Sequence, residues 1–201
     1  GEIGVSSEVG KGSTFWFELP FVISTNHACF EPLPAVDLRR RRVLIVDDNA
    51  TNRTLLECML GNWGCQTEAV SSGEEALLCL QRHVNTPQAF DVALLDLHMP
   101  FMDGATLGTL IRGNPFFSKL PLVMLTSSAL RGDAQRFQRI GFNAYLSKPL
   151  KEADIRRCLE TLLARPGQAP GNQPLITRHT LYQDQPPVTD AAAPPAPARS
   201  E

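Results

Sequence analysis

Apolar residues follow two different rhythms along this chain, and the change of rhythm divides it. Over Gly1 to Pro20 they recur at every second position, with Ile3 and Val5 in one run and Phe15, Phe17 and Leu19 in the next. Gly10-Lys11-Gly12 lies between the runs and supplies a permissive turn, so the segment predicts a β-hairpin. Two strands alone bury no core. The hairpin is therefore expected to be the last edge of a domain whose body lies upstream. Gly10-x-Gly12 lacks the spacing of a phosphate-binding loop and leads into a strand rather than a helix, so turn chemistry explains it.

From Val43 onward, continuous apolar runs alternate with helical stripes five times. Val43–Val46 reads as a strand buried on both faces, and Leu55, Leu56, Met59 and Leu60 mark a helix closed by Gly61 and Gly64. Cys65 to Val70 predicts the second strand. Ser71-Ser72-Gly73-Glu74 resembles a capping box for a helix carrying Ala76, Leu77 and Leu80. Ala89 to Leu95 predicts the third strand, and Leu107, Leu110 and Ile111 the third helix. A strand over Leu122 to Leu125, a helix with Phe137 and Ile140, and a strand over Asn143 to Leu146 follow. Ile155, Cys158, Leu159, Leu162 and Leu163 then form the i, i+3, i+4, i+7, i+8 stripe of a packed helix. Five βα units predict an α/β domain with a doubly wound parallel sheet.

The flanks are different. Residues 21–42 read as a linker, broken by Pro32 and Pro34 and ending in four arginines, Arg39 to Arg42. The arginine run has no aromatic or basic partner nearby, so a solvated stretch before a buried strand is expected rather than a nucleic-acid surface. Residues 165–201 hold eight prolines, which argues against regular structure over most of that length. Within them Leu175 to Leu181 is a small apolar island, expected to be a docking or hinge segment.

Composition narrows the class. Apolar content of 43% and charge content of 20% suit a folded soluble domain, and a net charge of -2 argues for neither nucleic acid nor a membrane surface. Five cysteines without a CxxC pair read as reduced core residues of a cytoplasmic protein. No apolar run approaches the roughly 20 residues of a membrane span, no signal peptide opens the chain, and the missing initiator Met suggests a piece of a longer protein.

The chemistry lies at the strand ends. Ligands of open parallel sheets bind beyond the carboxyl ends of the strands. There the first strand presents Asp47-Asp48, the third Asp96, the fourth Thr126 and the fifth Ser147-Lys148-Pro149. Singly, each group has a plain structural explanation: a helix cap for Asp47-Asp48 or Thr126, an exposed loop cation for Lys148. Jointly they are hard to ascribe to chance. Three converging carboxylates repel one another unless a divalent cation neutralises them, and an oxygen-only set favours Mg²⁺. With an ammonium and a hydroxyl added, the set suits transfer of a phosphoryl group to Asp96.

On these motifs the segment from Val43 to Leu163 resembles a response-regulator receiver domain. The motifs are Val46-Asp47-Asp48-Asn49, Leu95-Asp96-Leu97-His98-Met99-Pro100-Phe101-Met102-Asp103-Gly104, Leu125-Thr126-Ser127-Ser128 and Leu146-Ser147-Lys148-Pro149. The resemblance implies a flavodoxin-like (βα)5 fold with strand order 2-1-3-4-5, for which a receiver protein is a standing example. It implies that Asp96 is the phosphoacceptor and that Asp48 ligates Mg²⁺ directly and Asp47 mostly through water. The main-chain carbonyl of His98 is a further implied ligand. Thr126 would bond the phosphoryl oxygen, with Tyr145 as the second half of a switch, and the Lys148–Pro149 bond is expected to be cis.

The opening hairpin, with Gly1-Glu2-Ile3-Gly4-Val5 and Gly10-Lys11-Gly12-Ser13-Thr14-Phe15-Trp16-Phe17-Glu18-Leu19-Pro20, resembles the end of a histidine-kinase ATP-binding domain. Kinase end (1–20), linker (21–42), receiver (43–164) and Pro/Ala-rich linker (165–201) together imply a hybrid sensor histidine kinase. The ATP site and the phosphorylated histidine would lie outside this chain. The implied partners are the phosphohistidine of a kinase dimerisation domain and a downstream histidine phosphotransfer domain. The parent would be a homodimer, with a membrane anchor upstream an open option. The island from Leu175 is similar to segments joining tandem receivers, so a second receiver or a phosphotransfer domain is expected to follow.

Rival readings each meet an obstacle. A haloacid-dehalogenase-type phosphatase needs a second aspartate where His98 stands. A flavin-binding module would place its phosphate against Asp47-Asp48-Asn49, and a transcription factor needs a DNA-binding domain where the Pro/Ala tail lies. A pseudo-receiver that only docks partners remains the alternative, although it has no need of the acidic pair and Lys148 together.

Overall fold

The computed structural model describes residues 1–8, 10–20, 36–127, 132–164 and 174–182. Two units are distinct, one within Gly1–Glu31 and one within Pro32–Glu201.

In the first unit, β1 (Glu2–Glu8) and β2 (Gly12–Glu18) form an antiparallel hairpin. Gly10 and Gly12 take the positive φ values of 84° and 102° that the turn requires. Ile3 faces Phe17 and Val5 faces Phe15. All four side chains are exposed. Trp16 lies so close over Gly4 that any side chain there would collide with its ring.

The second unit runs β3 (Arg42–Val46), α1 (Ala50–Asn62), β4 (Gln66–Val70), α2 (Gly73–His83), β5 (Val92–Asp96), α3 (Gly104–Gly113), β6 (Leu122–Thr126), α4 (Asp133–Ile140), β7 (Ala144–Ser147) and α5 (Glu152–Leu163). It ends in β8 (Ile176–Thr177) and α6 (Arg178–Tyr182). The strands form one parallel sheet in the order β4-β3-β5-β6-β7-β8. Its first five strands reproduce the flavodoxin-like order 2-1-3-4-5.

Alternate strand residues feed two separate cores. Leu44, Val46, Ala93, Leu95 and Met124 pack with Cys79 and Leu80 of α2, Leu107 and Ile111 of α3, and Phe137 of α4. Val43, Ile45, Leu94, Val123 and Leu125 pack with Leu56 and Leu60 of α1 and Ile155 and Leu159 of α5. Burial on both faces explains why these strands read as unbroken apolar runs.

Several details differ from expectation. The third strand starts at Val92, not Ala89, and it includes Asp96 as its last residue. Leu55 and Leu110 are exposed; the helices bury Leu56 with Leu60, and Leu107 with Ile111. The capping box uses Glu75 rather than Glu74: Ser72 accepts from the Glu75 amide while the Glu75 carboxylate accepts from the Ser71 amide at 2.8 Å. Cys79 and Cys158 are buried, Cys65 is half-buried and Cys58 is exposed, so the core expectation fails for Cys58. Cys29 lies outside the described residues.

The arginine run is not merely solvated either. Arg39 pairs with Asp37, Arg41 with Asp91 and Arg42 with Glu68. The island from Leu175 to Leu181 folds back as β8 and the start of α6. Among the described residues no helix is long and apolar enough to cross a membrane.

Candidate functional site

The carboxyl ends of β3, β5, β6 and β7 lie side by side, because parallel pairing aligns Asp96 with Leu125 and Thr126 with Ser147. Asp47 follows β3 directly and is fully buried, Asp96 is 4% exposed and Thr126 is fully buried. Ligand oxygens of Asp47, Asp48 and Asp96 all lie within 4.8 Å of one another. Lys148 reaches across to them. Its Nζ donates to Asp96 Oδ1 at 2.6 Å and to Asp47 Oδ2 at 2.9 Å. Burial opposes the ammonium charge, but the hydrogen bonds to Asp96 and Asp47 outweigh it and raise the lysine pKa, so the group stays charged.

The local backbone explains the placement. Asn49 caps α1, accepting from the Thr51 and Asn52 amides, so Asp47 and Asp48 are not the cap. Thr126 is not the N-cap of α4, which begins at Asp133 with Gly132 in the cap position. Asp103 caps α3 through the Thr106 amide at 2.7 Å. Beside it, Gly104 approaches the Asp96 carbonyl so closely that a Cβ would sit 2.3 Å from that oxygen. Only glycine fits there, which gives the Asp103-Gly104 pair its physical meaning. The remaining Asp96 oxygen, Oδ2, accepts from the His98 amide at 3.0 Å, while the His98 side chain is exposed. The Lys148–Pro149 peptide is cis.

Tyr145 is buried against Phe137, ring centroids 5.3 Å apart, and among the described residues its hydroxyl has no hydrogen-bond partner. Burial first, then nearby Asp133, raises its pKa. Ser128 lies outside the described residues.

Two contributors were not anticipated. Asn52 donates from Nδ2 to both Asp47 oxygens, at 3.1 and 3.0 Å, and Arg53 donates to the main-chain oxygens of Asp47 and Asp48 at 2.7 and 3.0 Å. Their signal was available: both fall in the first helical turn after the acidic pair, where side chains point back toward the helix start.

Three carboxylates facing the Lys148 ammonium, with the Arg53 guanidinium on the neighbouring main-chain oxygens, keep a surplus of negative charge that a hard divalent cation would offset. The donor set fits such an ion.

The model of the response regulator receiver domain matches residues 43–160. The chain belongs to the receiver-domain family. Over 162 residues the receiver and its flanks are 34% identical to the sensor histidine kinase AruS of Pseudomonas aeruginosa, covering 79% of this chain and 15% of that protein. Over 176 residues they are 31% identical to the autoinducer 2 sensor kinase/phosphatase LuxQ of Vibrio cholerae, covering 84% of this chain and 20% of that one. The chain thus spans only a minor part of the curated relatives it matches. A crystal structure of the receiver domain of sensor histidine kinase PA1611 from Pseudomonas aeruginosa aligns with a TM-score of 0.56 and 31% identity, over 63% of this chain and 99% of that one. Magnesium is coordinated in the active-site cleft of that structure. A receiver like those of hybrid sensor kinases belongs to phosphorelay signal transduction, and a docking-only pseudo-receiver is the less favoured reading.

Proposed function

We propose that this receiver accepts a phosphoryl group from a phosphohistidine on Asp96 and passes it on or loses it to water. The observation that carries the reading is the buried Asp96 carboxylate, held by Lys148 on one oxygen and by the His98 amide on the other. In the transfer an Asp96 oxygen bonds to phosphorus as the phosphorus–nitrogen bond breaks, and the imidazole nitrogen keeps that electron pair. In hydrolysis water attacks phosphorus and the carboxylate leaves. Lys148 supplies a fixed positive charge at the accepting oxygen, and Thr126, at the end of the next strand, offers its hydroxyl to a phosphoryl oxygen.

Asp48, Asp47, Asp96 and the His98 carbonyl are the groups that would hold Mg²⁺. When bound, the ion offsets negative charge on the phosphoryl oxygens. Tyr145, whose buried hydroxyl has no partner among the described residues, would move together with Thr126 as the switch.

The parent reading is a hybrid sensor histidine kinase, cytoplasmic at least in this part. The exposed apolar face of the hairpin supports assigning residues 1–20 to the end of an ATP-binding domain whose body would cover it. Residues 21–42 would be a linker, 43–164 the receiver, and 165–201 the path toward a further receiver or phosphotransfer domain.

The test is labelling of the full chain with acetyl phosphate, read by phosphate-affinity gel shift. Mg²⁺-dependent label, lost with EDTA and with Asp96→Asn, is expected. A folded parent that takes no label would instead support the pseudo-receiver.

A further inference from the structure

The segment 174–182 is bound into the sheet, and one of its side chains reaches the loop that carries Lys148. Ile176 pairs with Ala144 and Thr177 with Tyr145, and the Ile176 amide donates to the Asn143 carbonyl at 3.0 Å. Leu175 is buried in the core beneath α3 and α4, while Ile176 and Leu181 pack on the core beneath α1 and α5. The turn between strand and helix is closed by Thr177 and Thr180, with the Thr177 amide donating to Thr180 Oγ1 at 2.8 Å.

These contacts fix the direction of Arg178. Its Nε donates to Asp154 Oδ2 at 2.7 Å, and the Asp154 side chain is only 2% exposed. Its Nη2 donates to the Pro149 carbonyl at 2.9 Å and lies 3.4 Å from the Ser147 carbonyl. Those two carbonyls flank Lys148. From the opposite side, the Lys148 amide donates to the Thr126 carbonyl at 2.6 Å. The backbone that aims Lys148 at Asp96 is therefore gripped by the sheet on one side and, on the other, by a guanidinium from outside the residues 43–160 that match the receiver family.

We infer that Arg178 is a positioning residue of the phosphoryl site, acting through the Ser147 and Pro149 carbonyls to hold the Lys148 loop; this rests on the proposed role of Asp96. Arginine suits the task because its planar fork serves a carboxylate and a carbonyl at once, whereas a lysine offers one point charge. A lysine ammonium at 2.6 Å from a reacting oxygen tolerates little displacement, since small misplacements cost large factors in rate.

The experiment compares the full chain with Arg178→Ala and Arg178→Lys, measuring the melting temperature, the initial rate of acetyl-phosphate labelling and its Mg²⁺ midpoint. Arg178→Lys keeps a positive charge facing Asp154 and so keeps the fold, but it gives up the double hold. Both variants are expected to label about tenfold more slowly at temperatures where they are fully folded. The Mg²⁺ midpoint should fall rather than rise, because a displaced Lys148 ammonium competes less for the Asp47 and Asp96 oxygens that would hold the ion. Parent-like rates in a folded variant overturn the inference and leave Arg178 as a stabilising anchor only. Should Arg178→Ala unfold, the lysine variant decides alone. An unlabelled parent removes the role of Asp96 and this inference with it, whereas a labelled parent with unaffected variants removes only the inference.

Discussion

Among the described residues, two clusters of ligand-type side chains occur in this domain, and one of the two has the charge balance of a cation site. Beyond the strand ends, three carboxylates meet one ammonium. Beside β4 and the last turn of α2, Glu68, Cys79 and His83 come equally close. There the single carboxylate is already fully used. Glu68 accepts from the Cys79 thiol at 2.9 Å and pairs with His83 at 3.1 Å and Arg42 at 3.3 Å, with Arg82 at 4.0 Å. Burial, reinforced by the hydrogen bond to Glu68, pushes the Cys79 thiol up to about 12, so it stays protonated. Proximity of donor atoms is common to both clusters; surplus negative charge is not. The comparison teaches that the balance of nearby charges, more than residue type, separates a set of groups suited to a cation from a structural ion network.

The largest effect that would break this contrast is in labelling. Asp96→Asn should abolish it, while Glu68→Gln should leave the rate unchanged and lower stability by about 2 kcal/mol through its disrupted, partly buried network. Label surviving Asp96→Asn would remove the distinction. Next in size, Mg²⁺ at about 100 times its Kd should add about 2.7 kcal/mol in denaturant unfolding. Asp48→Asn should suppress that gain and Glu68→Gln should not. In the second cluster, Co²⁺ titration should give no sulfur-to-metal absorption band; a band lost in Cys79→Ser would show that the network yields to a metal after all.

A pH experiment sharpens the same point. Cys79 and Cys158 are both raised to about 12 in the folded chain, in each case first by burial. A raised folded pKa contributes stability below the unfolded value near 9.0 and loses it as pH climbs toward about 12. Denaturant midpoints should thus fall across that window, and Cys158→Ala should flatten part of the slope. The smallest effect is at the α3 cap. Asp103→Ala should cost about 1 kcal/mol by removing the bond to the Thr106 amide, read as a lower midpoint with little change in labelling.

Much of this was legible because chemistry and topology coincide in a parallel sheet. Each strand end is a fixed place, so Asp47, Asp96, Thr126 and Lys148 could be brought together from sequence position alone. The two-sided core was equally readable from unbroken runs such as Val92 to Leu95. What escaped depends on side-chain direction and on long-range pairing. Leu55 and Leu110 look like stripe residues but turn outward, since the buried stripe is narrower than the apolar one. Asn52 and Arg53 carry no motif, and their place in the first turn of α1 was the one sign that they would reach Asp47 and Asp48. The proline-rich surroundings of Leu175 to Leu181 masked a strand of two residues, whose stability comes from Leu175 in the core and Arg178 on Asp154 rather than from its own length.

That small strand also alters how copies of the domain can crowd together. In a five-stranded sheet β7 would present a row of unpaired amides and carbonyls, a template on which another polypeptide could add and begin to aggregate. Ile176 and Thr177 occupy that row with the chain's own backbone. They are themselves too short to serve as a good template in turn. Shortening the protein after Leu163 would therefore uncover a sticky margin, and the expected symptom is turbidity on concentration.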